Sequence, residues 1–497
     1  YGRNASWGDV NGDGLPDLFV TGVFGEPVLP RIDAGGDVGE VYINCGGWFE
    51  PLRLPDRLER RALFDHGVAS SAIVDVDEDG LADLIVTFPR SVEVFFQGPA
   101  LSFESALVFE ASASDHNRGL PGVNSVLVSD MDVDGHLDIV VSRLGMPELL
   151  LWGRGGRAFD GSRTPAVMAN VTVRGDAWLD SQTFASFVVS DPDEPAYRHL
   201  IVGDDNGIGS AFFTVRHDPF GLDLAPARIE GETTMYFDAA VLDDGAGVLV
   251  VSTQTAAWQV HLLNGGRMLS VPERIVTSET QTGWGARVAD LDSDGREDLV
   301  VATGVADQDP ELRATWRSSH ESHLMVFRAV DEGGERRFVD VSASAGSLFD
   351  HGKTVDWESV ASADFDDDGC VDLAVAPLRT VRNRPQTVAY RDRIRVLRNR
   401  CNGPRRFVGF HVPPAPETRL DVLVVDAAGV ERTRTRAVRG GGAISTSDWS
   451  RVAIGLSPGE SLKGATIRCA DGAAHEVDPT ALVEGAYADL RAACRIE

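Results

Sequence analysis

The segment Asp130-Met-Asp-Val-Asp-Gly-His-Leu-Asp138 decides the reading of this chain, because four other segments repeat its pattern. They are Asp9-Val-Asn-Gly-Asp-Gly-Leu-Pro-Asp17, Asp75-Val-Asp-Glu-Asp-Gly-Leu-Ala-Asp83, Asp290-Leu-Asp-Ser-Asp-Gly-Arg-Glu-Asp298 and Asp364-Phe-Asp-Asp-Asp-Gly-Cys-Val-Asp372. All five read D-x-[DN]-x-D-G-x-x-D. An alternating apolar stretch such as Ser125-Val-Leu-Val precedes each loop, and a short apolar run such as Ile139-Val-Val follows it. That is strand, acidic loop, strand. Two degenerate copies, at Asp191-Pro-Asp193 and Asp243-Asp244, fill the gap between 138 and 290. Seven units therefore start near 9, 75, 130, 191, 243, 290 and 364. Their spacings are close to or above the roughly 40–50 residues of a four-stranded blade. The sequence predicts an all-β chain: a seven-bladed β-propeller over residues 1–406 with calcium-binding loops.

The acidic loops carry the chemistry of hard-cation binding. Positions 1, 3 and 5 point oxygens into a tight loop, Gly at 6 permits the turn, the carbonyl at 7 is available, and Asp at 9 closes the shell. The candidate ligands are Asp9, Asn11, Asp13 and Asp17; Asp75, Asp77, Asp79 and Asp83; Asp130, Asp132, Asp134 and Asp138; Asp290, Asp292, Asp294 and Asp298; and Asp364, Asp366, Asp368 and Asp372. Six to eight oxygen ligands favour Ca²⁺ over Mg²⁺, so about five structural calcium ions are expected. An EF-hand needs Glu at position 12 and flanking helices. Position 12 is instead Val20, Val86, Val141, Val301 or Val375, each within a strand pattern. Metal-free Asp/Gly turns are the competing explanation; five such loops in register argue against it. The fourth unit departs at Pro195, Ala196 and His199, which puts an ion there in doubt, and the shortened fifth reads as ion-free.

The chain has 497 residues, of which 76 are Asp or Glu and 46 Lys or Arg, for a net charge of −30. Such a surface repels phosphate backbones, which disfavours nucleic acid as a partner. No apolar run approaches the roughly 18–20 residues of a membrane span. Five cysteines, with no CxxC among them, make a zinc site unexpected; Cys469 and Cys494 could close a bridge if the compartment is oxidising, but the sequence leaves the pairing open. Beyond residue 407 the chain alternates apolar and polar residues, as in Leu420-Asp-Val-Leu-Val-Val, with Gly-rich turns between. Residues 407–497 therefore read as a small C-terminal β-sandwich domain.

With these motifs in view, the chain resembles the FG-GAP/VCBS-repeat propellers, the blades also found in integrin α chains. It is similar above all to the cartilage acidic protein group with a C-terminal ASPIC/UnbV domain. The acidic loops carry the likeness, together with Phe338-Val-Asp-Val-Ser-Ala-Ser-Ala-Gly346 and Val438-Arg-Gly-Gly-Gly-Ala-Ile-Ser-Thr-Ser-Asp448. The latter leads into Val452-Ala-Ile-Gly-Leu456 and Ala465-Thr-Ile-Arg-Cys-Ala-Asp-Gly472; Cys469-Ala470 stand where the group has Trp-Pro. The resemblance implies an exported, calcium-binding protein, extracellular or periplasmic, of the kind linked to adhesion. Its leader would lie outside this chain.

A propeller places its calcium loops on one face and its longest loops, here roughly 21–39, 303–322 and 377–392, on the other. These three belong to neighbouring blades. Arg313, Trp316, Arg317, His320, His323, Arg382, Arg384 and Tyr390 lie there and suit an anionic or sugar-like ligand. His320-Glu-Ser-His323 has the wrong spacing for a zinc H-E-x-x-H site. Phe64-Asp-His-Gly67 and Phe349-Asp-His-Gly352 are near copies expected at the pore. His66, His351, Lys353 and Glu358 are accordingly the acid/base candidates, against a structural role in which the histidines bond backbone. Two functions follow as expectations: a recognition or adhesion module for a protein or glycan, or an enzyme (lyase, cyclase or hydrolase) acting on a carbohydrate or secondary metabolite.

Overall fold

The structure, a computed structural model, describes residues 4–21, 40–52, 54, 68, 70–88, 90–110, 123–143, 149–160, 183–190, 197–204, 210–218, 221–229, 236–241, 248–253, 258–264, 267–275, 282–304, 324–332, 335–346, 357–377, 394–401, 406–412, 418–438, 451–469 and 472–494, with backbone alone between 183 and 284. Strands dominate it. Seven antiparallel sheets follow one another, each made of strands consecutive in sequence.

The first sheet holds β1 (Asn4–Gly8), β2 (Asp17–Thr21), β3 (Glu40–Asn44) and β4 (Phe49–Leu52). The second holds β5 (Ser70–Val74), β6 (Asp83–Phe88), β7 (Ser91–Gly98) and β8 (Ser102–Glu110). The third is β9 (Val123–Ser129), β10 (Asp138–Arg143), β11 (Leu149–Gly153) and β12 (Phe159–Asp160). The fourth is β13 (Thr183–Ser190), β14 (Tyr197–Asp204), β15 (Ser210–Asp218) and β16 (Gly221–Ile229). The fifth is β17 (Tyr236–Val241), β18 (Val248–Thr253), β19 (Trp258–Asn264) and β20 (Arg267–Ile275). The sixth is β21 (Thr282–Ala289), β22 (Asp298–Gly304), β23 (Leu324–Glu332) and β24 (Glu335–Asp340). The seventh has three strands among the described residues: β25 (Trp357–Ala363), β26 (Asp372–Pro377) and β27 (Arg395–Leu397).

The first strands are neighbours in sequence order: β1 lies against β5, β5 against β9, β9 against β13, β13 against β17, β17 against β21 and β21 against β25. β25 in turn lies against β1, so the last sheet meets the first. Apolar side chains fill the spaces between sheets, because strands such as β6 and β7 are buried along nearly their whole length. One cluster joins the second and third sheets through Ile85, Val94, Val128 and Leu151. Another joins the seventh to the first through Trp7, Phe365 and Ala374, with the Trp7 and Phe365 rings stacked at 6.3 Å.

The C-terminal strands build two further sheets. β28 (Phe407–His411) pairs with β31 (Arg451–Gly455) and, in parallel, with β34 (Tyr487–Asp489). β29 (Arg419–Val425) lies between β30 (Glu431–Ala437) and β32 (Ser461–Arg468), and β33 (Ala474–Glu476) adds to β32. The alternation in β29 turns Leu420, Val422 and Val424 inward, where they share one core with Val408, Phe410 and Ile454 of the other sheet. Two disulfides are present, Cys370–Cys401 and Cys469–Cys494, which fits an oxidising, extracellular-type environment. Among the described residues no helix is long and apolar enough to cross a membrane.

Candidate metal centres

Each of the five acidic loops is the turn between the first and second strands of its sheet. All five share one hydrogen-bond pattern, which explains the spacing of their residues. The position 1 carboxylate accepts from the glycine N–H at position 6: Gly14 to Asp9 (2.8 Å), Gly80 to Asp75 (2.8 Å), Gly135 to Asp130 (3.1 Å), Gly295 to Asp290 (2.8 Å) and Gly369 to Asp364 (2.7 Å). The position 5 carboxylate accepts from the N–H at position 7, as in Leu15 to Asp13 (2.7 Å) and Cys370 to Asp368 (3.0 Å). Position 6 has φ of 80–91° in every loop, a left-handed conformation that suits glycine. Position 4 is left-handed too, and only the first loop uses glycine there; Glu78, Val133, Ser293 and Asp367 hold φ of 56–64°.

Position 9 has a second task that the spacing alone did not reveal. Asp138 Oδ2 accepts from Met131 N at 2.7 Å while its Oδ1 accepts from Gly153 N at 2.8 Å. Asp17, Asp83, Asp298 and Asp372 repeat this, joining the position 2 N–H to an N–H in or just past the third strand. The last aspartate is thus a strut between loop and third strand before it is anything else; in Asp17 and Asp83 the Oδ2 atom takes a second backbone donor as well, from Asn11 N and Asp77 N, while Oδ1 takes the third-strand N–H. A further link crosses between sheets. Asn399 Nδ2 donates to Leu291 O, and Asn44 Nδ2 donates to Phe365 O, both at 2.6 Å. The same contact therefore ties the seventh sheet to the sixth and the first to the seventh.

The carboxylates converge. One oxygen from each of Asp75, Asp77 and Asp83 lies within 4.8 Å of the others, and the same holds for Asp130, Asp132 and Asp138, for Asp290, Asp292 and Asp294, and for Asp364, Asp366 and Asp372. These groups are spaced to hold metal ions. The first loop, with Asn11 at position 3, shares their hydrogen bonds. The fit to a cation rests on a second observation. Oδ1 of Asp9 and Oδ1 of Asp366 have no hydrogen-bond partner, although their side chains are only 10 % and 9 % exposed. Buried carboxylate oxygens without a donor are unfavourable unless a charge faces them.

Burial pushes the position 9 carboxyls far above the usual carboxylate range. Asp17 rises to about 7, Asp83, Asp298 and Asp372 to about 8, and Asp138 to about 9, chiefly through desolvation and then through neighbouring carboxylates. Asp75 and Asp290 are raised to about 7 for the same reason. Keeping Asp83 ionised in this setting costs on the order of 5 kcal/mol. Several such groups together would exceed the roughly 5–15 kcal/mol stability of a domain. Arginines offset part of this: Arg157 pairs with Asp77, Arg154 with Asp132 and Asp134, Arg328 with Asp292 and Asp294, and Arg398 with Asp366 and Asp368.

The C-terminal sheets sit directly on three of these loops, an arrangement the sequence reading did not anticipate. Arg451 donates to Gly14 O (2.7 Å) and Asp364 O (3.2 Å) and pairs with Asp367, bridging the first and seventh loops. Ser457 Oγ and Arg434 donate to Asp294 O, and Arg436 donates to Gly295 O (3.0 Å) and pairs with Glu297 in the sixth loop. Tyr487 Oη donates to Asp364 Oδ2. The one visible signal was Arg432-Thr-Arg-Thr-Arg436, an alternating cationic strand.

Of the other site candidates, His66, His351, Lys353, Arg313, Trp316, Arg317, His320, His323, Arg382, Arg384 and Tyr390 lie outside the described residues. Glu358 falls within β25, with its backbone alone described. The degenerate fourth and fifth loops lie outside them too.

No protein-family model matches the chain, and no curated protein matches it. Solved structures similar to it include carbohydrate-binding lectins and a carbohydrate-active enzyme. The BP39L lectin of Burkholderia pseudomallei is 12 % identical at a TM-score of 0.47, covering 75 % of this chain and 92 % of that one. A lectin of Agrocybe aegerita that recognises non-reducing terminal N-acetylglucosamine is 16 % identical at 0.42, covering 68 % and 80 %. The rhamnogalacturonan lyase YesW is 14 % identical at 0.36, covering 76 % and 71 %. At these scores the likenesses define neither a topology nor a ligand.

Proposed function

We propose that the chain is a seven-bladed β-propeller of the FG-GAP/VCBS type (residues 1–406) with a C-terminal ASPIC/UnbV-like β-sandwich (407–497). In this reading it is an exported recognition module whose loops bind about five structural calcium ions. The observation that carries it is the single hydrogen-bond pattern common to five acidic loops, four of which bring three aspartates within 4.8 Å of one another at the same corner of their sheets. The run of first-strand neighbours from β1 to β25 and back to β1 supports the ring. Positions 1, 3, 5 and 9 would hold the ion, and a bound Ca²⁺ would neutralise carboxylates that burial leaves poorly solvated.

The ion is structural on this account. It fixes the corner between first and second strands, and the ligand binds through loops on the opposite face. The ligand class is a glycan or a protein surface, for which the Arg, Trp and Tyr content of residues 303–322 and 377–392 is suited. The test is binding of the purified full chain to a glycan array and to candidate surface proteins in calcium. Calcium-dependent retention of a defined ligand is the expected result. No binding in calcium would refute the recognition reading, and binding that survives exhaustive chelation would refute its dependence on calcium.

A further inference from the structure

We propose that cation binding to the seventh loop and docking of the C-terminal sheets are one coupled equilibrium, with Tyr487 as the positioning residue that joins them. This rests on the calcium reading above and adds a regulatory contact to it.

The coupling is written in the partners of one carboxylate. Asp364 Oδ2 accepts from Gly369 N within its own loop and from Tyr487 Oη of β34. Asp364 is position 1 of a loop whose Asp366 keeps a buried oxygen without a donor. The phenol has a single O–H, and this bond commits it to the loop's first ligand. A donor of this kind fixes the rotation of a ligating carboxylate, and outer-shell contacts of that sort change metal affinity by roughly 10–100-fold.

The Tyr487 ring is itself held in place. The Arg451 guanidinium covers it at 4.8 Å, and Phe407 and His411 pack on it at 5.6 and 5.3 Å. Gly409 makes room for it, since a Cβ there would lie 2.5 Å from Tyr487 Cδ1. Phe407 in turn presses on the loop glycine: a Cβ on Gly369 would fall 2.1 Å from its ring. Arg451, whose side chain is 4 % exposed, spans to Gly14 of the first loop. The C-terminal sheets therefore touch the loop through its ligand, its turn glycine and its position 4 side chain at once. The second and third loops are served instead by Arg157 and Arg154 of the third sheet, which makes them internal controls. By linkage, whatever the docked sheets add to cation affinity, the cation returns to docking.

The experiment is calorimetric titration of calcium into the metal-stripped full chain, comparing wild type with Tyr487→Phe. The expected result is one class of site weakened roughly tenfold with the remaining sites unchanged. Arg451→Gln is the second variant, for which sites weaken at the first and seventh loops; it decides the matter if Tyr487→Phe does not fold. Identical titrations for the variants and wild type would overturn the coupling while leaving calcium binding intact. A wild-type chain that takes up no calcium would overturn the calcium reading and the coupling with it.

Discussion

The metal-stripped chain is expected to lose stability as pH rises from 5 to 7, and calcium to abolish that loss. The perturbation is exhaustive chelation. Asp83, Asp138, Asp298 and Asp372 bind a proton more tightly in the folded chain, at about 8 to 9, than unfolded near 3.8. A raised carboxyl pKa contributes its full stability below the unfolded value and surrenders it as pH climbs through the folded one. Between pH 5 and 7 each such group removes about 1.4 kcal/mol per pH unit, so the four together remove roughly 5 kcal/mol per unit. That is comparable to a domain's entire stability, so the stripped chain approaches unfolding near neutrality. A bound cation favours the ionised form and suppresses the folded-state proton uptake. The assay is thermal melting by circular dichroism at pH 5, 6 and 7, in chelator and in calcium. A melting temperature that falls steeply with pH in chelator and stays nearly level in calcium is the expected pattern. A chelated chain as stable at pH 7 as at pH 5 would refute the reasoning.

Two further outcomes follow from the loops. Asp138→Ala leaves the N–H groups of Met131 and Gly153 without their acceptors. At about 1–3 kcal/mol for each buried orphan, urea denaturation is expected to show a loss of roughly 2–6 kcal/mol, in calcium as well as without it. Gly80→Ala and Gly369→Ala both place a side chain at left-handed φ, 91° and 80°, for about 1–2 kcal/mol each. Gly369→Ala must also displace the Phe407 ring, so it is expected to destabilise by several kcal/mol more and to expose the C-terminal sheets to protease. Equal destabilisation by the two would count against the docked arrangement.

The loops were legible because their chemistry is local. Five copies of one spacing place Asp at 1, 5 and 9 and Gly at 6, and a nine-residue window contains the whole hydrogen-bond pattern save one partner. That partner, the third-strand N–H at Asn44, Gln97, Gly153, Ala329 or Asn399, lies 14 to 31 residues on, so the strut role of position 9 was hidden. The sequence left the disulfide pairing open: Cys469 and Cys494 were near enough to be candidates, whereas Cys370–Cys401 joins position 7 of the seventh loop to a residue just past the third strand. Docking of the C-terminal sheets was out of reach. It depends on contacts such as Arg451 to Gly14, 437 residues apart, and on glycines at 369, 409 and 455 whose neighbours only the fold supplies. Gly455 shows this well: a Cβ there would sit 2.2 Å from Ser293 O of the sixth loop.

Counting the ions addresses the central claim most directly. Equilibrium dialysis of the full chain against calcium, followed by elemental analysis, is expected to retain about five ions per chain, one for each intact acidic loop. Retention of none would contradict the account, because the buried aspartates would then need no cation to share their corner of the sheet.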